Sequence, residues 1–181
     1  MTINYENIIS THSWILEKDK HCILSPDSDG FLCGLFMSNL LNWNISGFYD
    51  GKILVLSNGL DIAECIFLDM DINRRNIRSI GHHIVDYNKR LTHFNVQYSS
   101  CIQPNRMRNF DARADFQRKY PFGTIHLLLG ILQVAGLIRQ LPSNALWPLL
   151  FTDGVWNNLF GYTENCLEWI NYLKIDDNNP K

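Results

Sequence analysis

The sequence predicts a single α/β domain in which a mostly parallel sheet is flanked by helices, and three observations carry that prediction. Short apolar runs alternate with longer helical patterns, the order that builds a parallel, helix-covered sheet. Three of the runs end in a polar pair: Asp27 and Asp29, Asp69 and Asp71, His82 and His83. Ligands in such sheets bind just past the carboxyl ends of the strands, so the pairs fall where a site would form. Finally, 46% of the 181 residues are hydrophobic, with 5 Trp, 7 Tyr and 10 Phe. That supplies a sizeable core and excludes wholesale disorder.

In chain order, residues 21–25 (HCILS) form a buried-strand candidate stopped by Pro26, and residues 30–41 are apolar on most sides, as a helix packed on a sheet would be. Runs at 45–49 and 52–56 follow, the second bounded by Asp-Gly and Asn-Gly turn signals. Residues 64–68 (ECIFL) are a further buried strand ending at Asp69, and 78–81 a short one ending at the two histidines. A polar, arginine-rich stretch occupies 89–120. Helical patterns at 123–141, 143–150 and 163–173 close the chain, the first begun by Pro121 and Thr124. The last should pack on the sheet through Leu167, Ile170 and Leu173. Residues 1–175 are expected to form the domain and 176–181 (DDNNPK) a polar tail.

Net charge is only -2, but its distribution is uneven. Between Arg74 and Lys119 lie ten of the sixteen basic residues against Asp86, Asp111 and Asp115, which leaves that segment at +7. Tyr98, Phe110, Phe116 and Tyr120 interleave with these charges in a pattern that suits base stacking and equally suits a core. The five cysteines contain no CxxC pair and three sit in apolar runs, so neither a disulfide framework nor a zinc finger is expected. The N-terminus lacks the pattern of a signal peptide, and the apolar run at 125–138 is too short to cross a bilayer. A cytoplasmic protein without a membrane partner is the expectation.

Each polar pair taken alone is also an ordinary turn or cap. In SPDSDG (25–30), Asp29 could cap the following helix, and Gly30 could leave room for a ligand at its N-terminus. In FLDMDI (67–72), Asp69 closes an apolar strand, where a carboxylate is costly to bury unless it is paired or metal-bound. In IGHHIVDYN (80–88), neighbouring histidines point to opposite sides of an extended chain. Asp153 stands in TDG after an apolar segment.

Taken in order, Pro26-Asp27-Ser28-Asp29-Gly30 with its apolar helix, the strand-end Asp69, Gly81-His82-His83 and Thr152-Asp153-Gly154 resemble the motifs of the DHH phosphoesterase superfamily, and GTIHLLLGIL (123–132) is similar to the helix before the family's fourth motif. The resemblance covers about residues 21 to 160. It implies a DHH-like fold and a metal-dependent hydrolase, a phosphoesterase or nuclease, acting on a phosphodiester or phosphoanhydride bond in a nucleotide or short single-stranded nucleic acid. It would place one or two Mn²⁺ or Mg²⁺ ions on Asp27, Asp29, Asp69, His82 and Asp153, with Asp69 bridging and His83 facing the phosphate. Hard carboxylate oxygens with one or two imidazoles suit those metals. Arg106, Arg108 and Arg113 would bind the substrate's phosphates. The chain departs from the family at Ile23, where many members carry a histidine, at Gly81, where the motif has an aspartate, and in having no counterpart of the usual second domain. The alternative is therefore a catalytically degenerate DHH-like module serving as a nucleotide-binding or regulatory subunit. A cationic lid from residues 74–119, or a second protein chain, is expected to cover the site.

Overall fold

The computed structural model describes residues 2–83 and 99–175. The chain opens with α1 (Tyr5–Thr11), capped by Asn4, whose side chain accepts a 2.8 Å bond from Asn7 N. Next come β1 (His21–Leu24) and α2 (Ser28–Leu41), which ends at Asn42 in the left-handed region. β2 (Asn44–Tyr49) lies parallel to β1, and β3 (Leu54–Leu56) turns back antiparallel to it. The turn between them is held by Asp50, which accepts bonds from the backbone of Lys52 and Ile53. β4 (Cys65–Leu68) pairs with the other side of β1, followed by β5 (Arg78–Ile80) and β6 (Cys101–Ile102), all parallel. The sheet order is β3-β2-β1-β4-β5-β6. The expected α/β domain with a mostly parallel, helix-flanked sheet is what forms.

Alternation along the strands divides the core. Cys22, Leu24, Ile66, Leu68, Ile80 and Ile102 join the larger cluster with α1 and α2, whereas Ile23, Cys65 and Phe67 join a smaller one on the opposite face with Met70 and Ile77. Each fully buried Leu or Ile contributes about 1.5–3 kcal/mol. All five cysteines are buried and free.

The C-terminal half holds a short α3 (Pro104–Met107), then α4 (Thr124–Val134), α5 (Leu146–Phe151), α6 (Val155–Gly161) and α7 (Thr163–Leu173). α4 stops seven residues before the expected 141, because Gly136 takes φ 74° and the N–H groups of Gly136 and Leu137 cap the helix on Gln133 and Leu132. α7 has the expected span and packs Leu173 against the core as expected, but most of its inward face differs. Cys166, Trp169 and Tyr172 are buried while Leu167 and Ile170 are exposed. Trp169 explains this: its ring meets Phe110, Tyr120 and Tyr172 edge-on, and its Nε1 donates to Arg118 O at 2.8 Å. A large ring with a satisfied N–H outweighs two aliphatic side chains. No helix among the described residues is long and apolar enough to cross a membrane.

Candidate metal centre

The carboxyl ends of β1, β4 and β5 deliver Ser25, Asp69 and His82-His83 to one place, and the turn between α5 and α6 brings Asp153 over them. Asp69, His82, His83 and Asp153 each offer a ligand atom within 4.8 Å of the others and could hold a metal ion. Five described non-glycine residues have positive φ, and two of them are Asp69 (62°) and Asp153 (51°). Aspartate tolerates the left-handed region better than most residues, but the conformation still costs energy and concentrates at functional sites.

Asp69 is fully buried and heavily bonded. Its Oδ2 lies 2.6 Å from Ser25 Oγ and its Oδ1 accepts from Thr124 Oγ1 at 2.8 Å. Burial alone would raise its pKa, but the contacts with His82 and Ser25 bring it down to about 2. The ionised carboxylate accepts only, so Thr124 must donate to it, and towards His82 Nδ1, 2.8 Å away, Thr124 can only accept. His82 therefore carries a proton on Nδ1. Its Nε2 is left facing Asp153 Oδ2 at 3.1 Å. A lone pair against a carboxylate oxygen needs a positive charge between them, either a second proton or a cation. In the metal-free protein the proton fills this role: burial would lower the His82 pKa, but Asp153 and Asp69 raise it to about 10. Asp153 itself is lowered against its burial by His82, and its buried Oδ2 makes no aligned hydrogen bond. That incompletely bonded oxygen, with the Nε2 lone pair, fits a hard divalent cation.

His83 lies beside His82, ring centroids 4.1 Å apart, with Nε2 3.8 Å from Asp69 Oδ1. Its other nitrogen is 3.7 Å from Asp71 Oδ2, which also accepts the His83 backbone N–H at 2.8 Å. Asp71, paired with Asp69 in the sequence but given no role by the resemblance, is thus a site residue. A Cβ at Gly81 would lie 2.8 Å from Asp71 Oδ1 and 2.6 Å from the Met70 carbonyl carbon. Glycine at 81 thus makes room for the carboxylate of Asp71, which Gln103 also bonds at 2.9 Å.

The two acids of the first motif stand apart from the four-residue group. Asp27, not Asp29, is the N-cap of α2: its Oδ1 accepts from Gly30 N at 3.0 Å, and it reaches Asp69 only through the shared Ser25 hydroxyl. Gly30 leaves no room for a ligand, because a Cβ there would lie 2.3 Å from Ser25 Oγ. Asp29 is buried and accepts the backbone N–H groups of Thr124 and Ile125 at 2.5 and 2.8 Å, so it caps α4 from 95 residues away. Gly123, at the N-cap position of α4, has no side chain to cap with, and a Cβ there would lie 2.8 Å from Asp29 Oδ2. Burial and the Asp69 charge push the Asp29 carboxyl up to about 9. It lies 3.7 Å from His82 Nδ1.

The three arginines do not line either of the two described cavities that adjoin the centre. Arg108 stacks over Phe110, Trp169 and Tyr172 and pairs with Glu168. Arg106 lines a separate cavity with His12 and Cys101, and Arg113 is exposed. Among the described residues, the cations lining the cavities beside the centre are instead Arg74 and Lys119. Of the aromatic residues expected to stack, Phe110 and Tyr120 are buried, Phe116 is exposed, and Tyr98 lies outside the described residues, as do Lys89 and Arg90 of the expected lid. The chain matches no family model, no curated protein and no solved structure.

Proposed function

We propose that the protein is a metal-dependent phosphoesterase that hydrolyses a phosphodiester or phosphoanhydride bond in a nucleotide or short oligonucleotide, using Mn²⁺ or Mg²⁺. The observation that supports this most is the facing pair His82 Nε2 and Asp153 Oδ2, 3.1 Å apart above the buried Asp69 carboxylate. A bound divalent cation would supply Lewis acidity, lowering the pKa of a water and stabilising charge on phosphoryl oxygens. The chain's own groups do the remainder. Asp69, fixed by Ser25 and Thr124, and His82, oriented by Thr124, set the ligand geometry. His83, half-exposed and turned by Asp71, is placed to contact a phosphoryl oxygen, and Lys119 adds positive charge nearby.

The test is hydrolysis of bis(p-nitrophenyl) phosphate and of a short oligonucleotide with added Mn²⁺. The expected outcome is cation-dependent turnover that falls at least a hundredfold in Asp69→Asn. Tight nucleotide binding without turnover would support the binding-module alternative, and neither binding nor turnover would refute both.

A further inference from the structure

The centre lies between two cavities of opposite character. One, of about 660 Å³, is lined by four carboxylates, Asp27, Asp50, Asp69 and Asp71, together with Arg74. The other, of about 420 Å³, shares His82, His83 and Asp153 with the centre. Among its described lining residues Asp153 is the one acid, Lys119 supplies a positive charge, and Phe116 and Tyr162 supply rings. An anionic ligand is repelled by the first cavity and admitted by the second.

The second cavity is larger than a phosphate needs and falls low in the range of about 300–1,000 Å³ for small-molecule sites. Two of its rings are exposed: Phe116 is 58% exposed and Tyr162 60%. Covering such a ring with a flat apolar group takes apolar surface out of water and is favourable. Lys119 Nζ sits 4.7 Å over the Phe116 ring, so the charge is held at the cavity wall. Asn165 also lines the cavity. Its Nδ2 donates to Lys119 O at 2.9 Å and its buried Oδ1 has no partner. Amides beside exposed rings suit a heterocycle, which presents both a π-face and a polar edge.

We infer that this cavity binds the nucleoside part of one nucleotide, with the base against Phe116 and Tyr162 and the phosphate directed at His82, His83 and Asp153. The inference rests on the reading of the centre as a phosphoester site. It predicts a ligand of one nucleotide unit, with affinity drawn from the base as well as the phosphate.

Calorimetric titration of the full chain with adenosine 5′-monophosphate and, separately, with inorganic phosphate tests it, each with and without Mn²⁺. Adenosine monophosphate should bind at least tenfold more tightly than phosphate. Phe116→Ala and Tyr162→Ala, both at exposed positions, should each weaken the nucleotide about tenfold while leaving phosphate within twofold. Nucleotide binding no tighter than phosphate, or unaffected by both substitutions, would overturn the inference. Phosphate binding indifferent to Mn²⁺ would instead overturn the reading of the centre, and the ring dependence measured without the cation would still judge the cavity.

Discussion

Of the acids around His82, the two nearest, Asp69 and Asp153, are held in opposite ways. Asp69, at the end of β4, is fully buried and bonded on both oxygens by Ser25 and Thr124, which are themselves fixed by the sheet and by the first turn of α4. Asp153, in the turn between α5 and α6, is 23% exposed, and its Oδ2 has no aligned bond. Phe151, Trp156 and Phe160, near it in the chain, are exposed, although Thr152 and Val155 beside it are buried. On the sheet side, therefore, the same hydrogen bonds hold the fold and the candidate ligand Asp69. On the helical side the Asp153 carboxylate faces His82 and is held by little else. Damage to the first should cost stability and cation affinity together, and damage to the second should cost cation affinity alone.

The largest effect on stability is expected at Asp29. Its carboxyl oxygens satisfy two buried N–H groups that α4 cannot satisfy within itself. Asp29→Ala leaves both unpaired and opens a cavity, so a loss of about 3 kcal/mol or more is expected in urea unfolding. Asp29→Asn, which keeps one acceptor oxygen, should lose about half as much. A neutral Asp29→Ala would break the comparison on its sheet side.

Much of that side was legible in the sequence, because apolar runs punctuated by Asp or His mark strand ends, and the ends of parallel strands share a level. Asp69 and His82 follow from that logic, whereas Asp153, in a turn between two helices, follows only from the resemblance of Thr152-Asp153-Gly154 to the DHH family's fourth motif. Other features depended on contacts remote in the chain. Asp29 caps a helix 95 residues away, and that contact brings Thr124 between Asp69 and His82. Asp71 lies beside the histidines only because Gly81 has no side chain to exclude it. β6 is two residues long, below any periodicity. The arginines misled because a charge run shows basicity but not direction: Arg108 turns into the aromatic face of α7. The left-handed backbone at Asp69 and Asp153 has no sequence signal beyond the residue type.

The next effect is one of pH, and it sharpens the comparison because it reads the proton that stands in for a cation. His82, near 6.5 when unperturbed, holds its proton to about 10 in the folded metal-free protein, and Asp29, near 3.8, to about 9. Both raised values mean that the native state binds more protons than the unfolded chain. The His82 contribution is complete below pH 6.5 and is lost as pH rises towards 10. Asp69 and Asp153, held low, contribute stability above about pH 4 that is lost in acid. Between pH 6.5 and 9, His82 and Asp29 each account for about 3 kcal/mol, so urea unfolding of the metal-free protein should show a fall of about 3–6 kcal/mol. Saturating Mn²⁺ should remove the His82 share of that slope, since the cation replaces its proton. A profile already flat without the cation would mean that His82 is not the charged partner of Asp153.

The smallest effect on stability is expected at Asp153, where the two sides of the centre come apart most cleanly. The carboxylate stands at the rim, and Asn at 153 keeps the shape and the tolerance of a left-handed backbone. What it loses is one charge facing His82, partly screened by solvent, so Asp153→Asn should cost about 1 kcal/mol or less. Cation affinity should nevertheless fall at least tenfold, because the neutral amide oxygen replaces an anionic ligand opposite Nε2. Asp69→Asn should lower both quantities, since it replaces the acceptor of the Ser25 and Thr124 bonds as well as the ligand. Parallel urea unfolding and Mn²⁺ titration of the two variants decide the matter. Equal losses of stability in both would show that the helical turn is as much a part of the fold's support as the strand ends are.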